Sequence, residues 1–157
     1  FYDMDEEHAW QAVRDFRELF AKIGVEKNIP YPGMKEALLR LRDAGKVLCV
    51  ATSKPEPFAR AIADRFGLAE CFDFVGGASL DDTRTKKAAV IEYVLASEPE
   101  QVLMVGDRRH DVEGAAAFGI DCVGVLYGYG SREELTAAGA CFLAEQPADI
   151  ADYVLGK

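Results

Sequence analysis

Two carboxylates, Asp107 and Asp111, follow a short apolar run at residues 102–105 that ends at Gly106. An apolar run bounded by a turn residue predicts a buried parallel strand. Chemistry in open α/β sheets collects beyond the carboxyl ends of such strands. Two carboxylates at that edge suit a hard cation such as Mg²⁺, which prefers oxygen ligands and often shares them with phosphate. In the alternative interpretation, Asp107 only caps the next helix and Asp111 is a solvated acid in its first turn.

Further polar groups follow or flank other predicted strands. Thr52 and Ser53 come after the apolar run at residues 47–51, and Lys86 and Lys87 open a later helix. Thr52 or Ser53 could simply cap a helix, but lysine in a first turn opposes the helix dipole, so Lys87 has a reason to be there beyond stability. A hydroxyl, an ammonium and two carboxylates at one sheet edge would bind a phosphate and a divalent metal. Which of the two lysines acts stays open.

Composition narrows the class of protein. The 157 residues are half apolar, which suits one globular domain, and the net charge of −9 argues against nucleic acid but not against a phosphorylated small molecule. No apolar run approaches the roughly 20 residues that span a bilayer, so we expect no membrane partner. The cysteines form no metal-type or redox-type pair, which predicts buried free thiols in a reducing compartment and a cytoplasmic location; they are Cys49, Cys71, Cys122 and Cys141.

Helices and strands alternate through most of the chain. An amphipathic helix is predicted over residues 5–24, and Pro32 is expected in the first turn of the next helix. Apolar runs then predict strands at residues 47–51, 72–75, 102–105, 122–126 and 140–143, with helices between them. This order predicts an α/β fold, with a Rossmann-like parallel sheet flanked by helices. Gly128 and Gly130, in the loop after the fourth strand, are expected to provide turns with positive φ.

The chain resembles the haloacid dehalogenase (HAD) superfamily of phosphohydrolases, in its phosphoglycolate-phosphatase-like branch. The resemblance rests on four stretches: Ala-Thr-Ser-Lys-Pro-Glu at 51–56, Lys-Ala-Ala-Val-Ile at 87–91, Val-Gly-Asp-Arg-Arg-His-Asp-Val-Glu-Gly-Ala at 105–115, and Gly-Val-Leu-Tyr-Gly-Tyr-Gly-Ser at 124–131. It implies that residues 1–28 are the C-terminal portion of an α-helical cap. Residues 29–157 would then form a HAD-like α/β core that lacks its first strand.

The resemblance also implies a Mg²⁺-dependent phosphatase that acts through a phosphoaspartate. Thr52 would hydrogen-bond the transferring phosphoryl group, and Lys87 would neutralise the nucleophile and the phosphate. Asp107 would be a Mg²⁺ ligand, and Asp111 would support the metal directly or through water. Ser53 and Arg84 are secondary candidates for phosphate or substrate contact.

The family's first motif, Asp-x-Asp-Gly-Thr after the first strand, is absent from the sequence. Asp3-Met4-Asp5 has the spacing but no strand before it, and it is better interpreted as the loop and cap of a helix. We therefore expect a portion of a longer enzyme that is inactive by itself. The absent strand would be central in the sheet, so its loss should expose both neighbouring strand edges.

Three functions remain open at this stage: the phosphatase, a phosphosugar mutase of the same superfamily, and a non-catalytic phosphate-binding or regulatory module. The substrate stays open among phosphoglycolate, nucleotides, pyrophosphate and phosphotyrosine, and the oligomeric state is not predicted. The first motif could be removed, disordered or truly absent.

Overall fold

A computed structural model describes residues 5–81, 83–97 and 101–156. The helices are α1 (Glu6–Leu19), α2 (Met34–Asp43), α3 (Glu56–Arg65), α4 (Lys87–Val94), α5 (Arg109–Ala116), α6 (Arg132–Ala138) and α7 (Pro147–Leu155). The strands are β1 (Cys49–Pro55), β2 (Phe74–Ala78), β3 (Leu103–Gly106), β4 (Asp121–Val125) and β5 (Phe142–Ala144). In the described part of the chain, no helix has the length and hydropathy needed to cross a membrane.

The first helix begins where its acidic residues predict. Asp5 is the N-cap, and its carboxylate accepts the backbone N–H of His8 at 2.9 Å. A π-helical turn, Phe20–Gly24, continues α1 to the predicted stop. Asp5 is therefore a helix cap, as predicted, whereas Asp3 and Met4 lie outside the described residues.

All strand pairs are parallel, which confirms the predicted α/β class. β1 pairs with β2, and β3, β4 and β5 form a second group in that order. β1 begins later than predicted and includes Thr52, which pairs in register with Gly77 before the ladder becomes irregular. β3 pairs with β4 so that Gly106 lies beside Gly124.

Helices pack on both faces of the β3–β4–β5 sheet. Successive side chains of β4 point to opposite faces, so each face has its own buried cluster. Val123 and Val125 pack with residues of α2 and α7 in one buried cluster. Cys122 packs with residues of α5 and α6 in another. A strand added beside β3 would therefore meet an apolar helix layer on each face.

The prediction that β3 is a buried strand is wrong. Val105 is 38% exposed, whereas Val123 of the neighbouring strand is fully buried. The reason is a cavity of about 840 Å³ that runs between β1 and β3 and is lined by residues of both strands. Within the described ranges no strand pairs with the second edge of β1 or of β3. The expected exposure of two neighbouring strand edges is thus confirmed.

The prediction that Pro32 occupies a first helical turn is also wrong. Gly33 is the N-cap of α2, with a positive φ of 79°, and the helix begins only at Met34. Pro32 and Gly33 are the central residues of a turn, in which the backbone N–H of Met34 donates to Tyr31 O at 3.1 Å. Proline therefore lies in the turn before the helix.

Candidate phosphate and metal site

Asp107 lies directly after β3 and is held by the loop that follows β4. Its Oδ2 accepts the backbone N–H of Tyr129 at 2.8 Å, and its carbonyl oxygen accepts the N–H of Gly130 at 2.9 Å. Asp107 does not cap α5, because Arg108 occupies the N-cap position. The loop therefore orients a carboxylate at the carboxyl edge of the sheet.

Gly128 and Gly130 are required for close packing rather than for positive φ, so that part of the sequence interpretation is wrong. Neither is among the glycines with positive φ. A Cβ at Gly128 would overlap the side chain of Asp107, and one at Gly130 would overlap its carbonyl oxygen. The absence of a side chain at both positions lets the loop approach Asp107.

Asp111 is buried, so it is not a solvated acid. It lies at the third position of α5, and its Oδ2 accepts the backbone N–H groups of Asp107 at 3.1 Å and Arg108 at 3.0 Å. A Cβ at Gly106 would overlap the Asp111 side chain, which explains the glycine at the end of β3. Asp111 thus fixes the turn from β3 into α5 and, with it, the position of Asp107.

Lys87, and not Lys86, points into this site. Its ammonium nitrogen lies 2.6 Å from Ala51 O and 2.7 Å from Asp111 Oδ1, so it links β1 to the first turn of α5. Lys86 is the N-cap of α4 and is exposed. An ammonium group has three donors. Two are used here, and the third can donate to another oxygen, such as one of a phosphate.

Thr52 lies next to the oxygen that Lys87 binds, because Ala51 O belongs to the peptide bond between Ala51 and Thr52. Its Oγ1 accepts the backbone N–H of Lys54 at 3.1 Å, and the side chain is half-buried. α3 begins only after Pro55, so Thr52 does not cap it. Ser53 is exposed, and its predicted phosphate contact stays a prediction.

Arg84 is held by contacts at the ends of β2 and α3. Its Nε donates to Gly77 O at 2.9 Å, and its guanidinium lies 3.3 Å from Glu56 Oε2 and 3.6 Å from the ring centre of Tyr93. These contacts order the loop that leads to Lys87. A contact between Arg84 and phosphate stays a prediction.

Two glutamates that were not among the predicted site residues hold the elements around the site together. Glu56 Oε2 accepts the N–H of Gly77 at 3.3 Å in addition to Arg84, and so joins α3 to β2. Glu134 Oε1 accepts Arg108 Nε at 2.8 Å and the N–H of Arg109 at 2.9 Å. The only sequence signals were an acid in the first turn of each helix. Neither signal indicates the long-range partner.

The oxygen donors of the site suit Mg²⁺ through Asp107 rather than through a cluster of acids. The described ranges contain no group of three His, Cys, Asp or Glu side chains placed to hold a metal. Mg²⁺ is commonly held by one or two carboxylates, while waters and substrate phosphate complete its octahedron. Asp107 fits this role, because only its Oδ2 is engaged by the described residues. Both oxygens of Asp111 are already engaged, so the structure favours a supporting position for it.

Comparisons with known proteins agree on the fold. The chain superposes on a predicted phosphatase from Clostridium acetobutylicum with a TM-score of 0.92 and 38% identity, covering 99% of this chain and 74% of that one. A 5'-nucleotidase of Pseudomonas aeruginosa is 45% identical over 87% of this chain and 63% of its own length.

Other relatives carry different names. The tyrosine-protein kinase PtkA of Mycobacterium tuberculosis is 45% identical over 81% of this chain and 45% of its own length. A phosphoglycolate phosphatase of Pseudomonas putida is 33% identical over 86% of this chain and 50% of its own length. The chain thus spans about half to two thirds of these curated relatives. The profile of haloacid dehalogenase-like hydrolases matches residues 2–119, and the chain belongs to this family.

Proposed function

We propose that the protein is a Mg²⁺-dependent phosphomonoesterase that acts through a phosphoaspartate. The observation that carries the proposal is the position of Lys87, whose ammonium bridges Ala51 O and Asp111 Oδ1 and keeps one donor for a third oxygen. Family membership supports phosphatase chemistry in general, since the family comprises hydrolases and a similar solved structure is described as a predicted phosphatase.

Each side chain of the site would make a different contribution to binding the phosphoryl group. Lys87 donates to a phosphoryl oxygen and offsets negative charge, and the hydroxyl of Thr52 donates to another. Asp107 would hold Mg²⁺, which supplies further charge neutralisation when it is bound. Asp111 keeps the Lys87 ammonium and the Asp107 backbone in place through charge-assisted hydrogen bonds, which are stronger than neutral ones.

The nucleophilic carboxylate is proposed to come from a segment outside this sequence. No Asp-x-Asp-Gly-Thr follows a strand in the 157 residues. Asp5 is used as a helix cap and contacts His8 Nδ1 at 2.7 Å. Asp107 is held by backbone N–H groups at the edge of β3, where it suits a metal ligand better than an attacking group.

The substrate is proposed to be a phosphorylated small molecule. The names of the relatives favour two classes, namely phosphoglycolate and nucleoside 5'-monophosphates. The higher identity to the 5'-nucleotidase makes a nucleoside 5'-monophosphate the first candidate to assay, before phosphoglycolate. All four cysteines are free thiols, but the prediction that they are buried is wrong for Cys49 and Cys141, which are exposed. The free thiols support the proposed cytoplasmic location.

Binding of inorganic phosphate tests the site without requiring the nucleophile. Titration calorimetry in the presence of Mg²⁺ should detect binding to the chain and a loss of about tenfold or more in affinity in Lys87→Met. Lys86→Met is the matched control and should bind as the parent does, because its side chain is exposed. Equal affinity in the parent and in both variants would overturn the assignment of Lys87.

A further inference from the structure

We propose that Glu134 is a positioning residue for the cation site at Asp107 and acts through the turn of residues 107–109, between β3 and α5. Glu134 lies on α6, 25 residues after Arg109 in the chain, and its Oε1 accepts the backbone N–H of Arg109 at 2.9 Å. The same oxygen accepts Arg108 Nε at 2.8 Å. This inference rests on the Mg²⁺ role proposed above for Asp107.

The backbone of the turn is held from several directions. Oδ2 of Asp111 accepts the first two N–H groups of the turn at 3.1 and 3.0 Å, and the N–H of Gly130 donates to Asp107 O at 2.9 Å. Arg109 begins α5, and the first N–H groups of an α-helix have no acceptor within their own helix. Glu134 supplies the acceptor for this N–H and so fixes the end of the turn that leads into α5.

The position of Glu134 is itself fixed by α6. Ser131 is the N-cap of this helix, and its Oγ accepts the backbone N–H of Glu134 at 3.2 Å. The next residue, Leu135, is fully buried in a cluster with Val112 and Ala115 of α5. The Glu134 side chain is only 25% exposed. The carboxylate is therefore a fixed point that holds the turn against the rest of the molecule.

A substitution can remove the contact of Glu134 selectively. Tyr129 and Gly130 hold Asp107 through backbone N–H groups, which every residue except proline possesses. Glu134 holds the turn through its side chain, so replacing it leaves those backbone contacts in place. Groups that orient the ligands of a metal commonly change its affinity by about 10–100-fold when they are removed. We therefore expect the cation affinity at Asp107 to depend on Glu134.

Binding of Mn²⁺, measured by electron paramagnetic resonance on the folded chain, tests this inference without turnover. Asp107→Asn locates the cation and should weaken binding about tenfold or more. Glu134→Ala should also weaken binding about tenfold. Glu134→Gln keeps an oxygen acceptor at the same distance from the backbone, so its affinity should stay within about threefold of that of the parent.

Glu133→Ala is the matched control. Glu133 lies in the same first turn of α6 but is exposed, so this variant loses the same charge and the same interaction with the helix dipole. It should bind Mn²⁺ as the parent does, because the contact with the turn is retained. Glu134→Asp keeps the charge on a side chain that is one methylene shorter, and it should lose affinity as Glu134→Ala does. It replaces Glu134→Ala if that variant does not fold.

The outcomes separate this inference from the proposed function. If the parent binds no Mn²⁺, or if Asp107→Asn binds it equally, the proposed metal role of Asp107 fails and this inference fails with it. If Asp107→Asn loses binding while Glu134→Ala binds as tightly as Glu133→Ala, only the inference is overturned. Equal losses in Glu134→Gln and Glu134→Ala would also overturn it, because charge rather than the position of the oxygen would then set the affinity.

Discussion

The ammonium nitrogen of Lys87 lies 2.7 Å from Asp111 Oδ1, and the two side chains are only 16% and 13% exposed. The pair joins the start of α4 to the first turn of α5 across the open middle of the sheet. Because charges that are largely removed from water require a partner, neither residue can be replaced without consequences for the other.

Removing one member of this pair should destabilise the protein more than removing both. Lys87→Met leaves the Asp111 carboxylate without its cation, and Asp111→Asn leaves the ammonium without its anion. We expect a coupling free energy of about 1–3 kcal/mol in a double-mutant cycle measured by urea unfolding. Additive effects of the two substitutions would contradict the proposed interdependence.

The loop glycines should control Mg²⁺ affinity through Asp107. Gly128→Ala places a methyl group where the Asp107 side chain lies, so the carboxylate must move. The expected result is a loss of about tenfold or more in metal affinity, measured with Mn²⁺ as a paramagnetic probe. Tyr129→Ala is the control, because the N–H that binds Asp107 is retained while the exposed ring is lost. An unchanged affinity in Gly128→Ala would show that Asp107 does not depend on this loop.

Glu56 should contribute to stability through its links to β2. The side chain is 19% exposed and binds Arg84 and the N–H of Gly77 with the same oxygen. Glu56→Ala should lower the free energy of unfolding by about 2 kcal/mol, since hydrogen bonds to a charged group are worth about 1.5–3 kcal/mol. Arg60→Ala removes the more exposed pair at 3.0 Å and a cation–π contact 5.9 Å from the ring centre of Phe74, and it should cost about 1 kcal/mol or less. Equal losses in chemical denaturation would contradict this assignment.

Stability should fall at alkaline pH because of a buried thiol. Burial raises the pKa of Cys122 to about 12, while the unfolded thiol ionises near its ordinary value of 9.0. Between these values the unfolded chain loses a proton that the folded chain keeps, so the stabilisation present below pH 9 is lost as pH rises toward 12.

Cys122→Ala provides the control for this effect. The slope from Cys122 should approach 1.4 kcal/mol per pH unit above pH 9, as about one proton is released on unfolding. The variant should show a correspondingly smaller slope, although the lost packing lowers its overall stability. Identical slopes in parent and variant would contradict the role of Cys122.

The fold class could be predicted from sequence because the strands carry continuous apolar runs. The residues 122–126 run, for example, coincides closely with β4. The bounds of β1 were less accurate, since the ladder continues through Thr52 although the apolar run has ended. Hydrophobicity predicts which residues are buried, but pairing continues wherever the neighbouring strand offers partners.

Long-range contacts explain what the sequence analysis missed in the site. Lys86 and Lys87 are equivalent by composition, and only the direction of the first turn of α4 separates them. A Cβ at Gly128 or Gly130 would overlap atoms of Asp107, which lies about 20 residues earlier in the chain. The exposure of Val105 depends on the gap between β1 and β3, so no local pattern around β3 could indicate it.

The central claim is that Lys87, Asp107 and Thr52 form a phosphate site whose nucleophile comes from another segment. Its most direct test measures Mg²⁺-dependent hydrolysis of para-nitrophenyl phosphate by the chain, alone and with a peptide in which Asp-x-Asp-Gly-Thr follows an apolar run of about five residues. Titration calorimetry under the same conditions reports whether the peptide binds. We predict no turnover by the chain alone, turnover with the peptide, and none when asparagine replaces its first aspartate. Turnover by the chain alone, or no turnover although the peptide binds, would contradict the account.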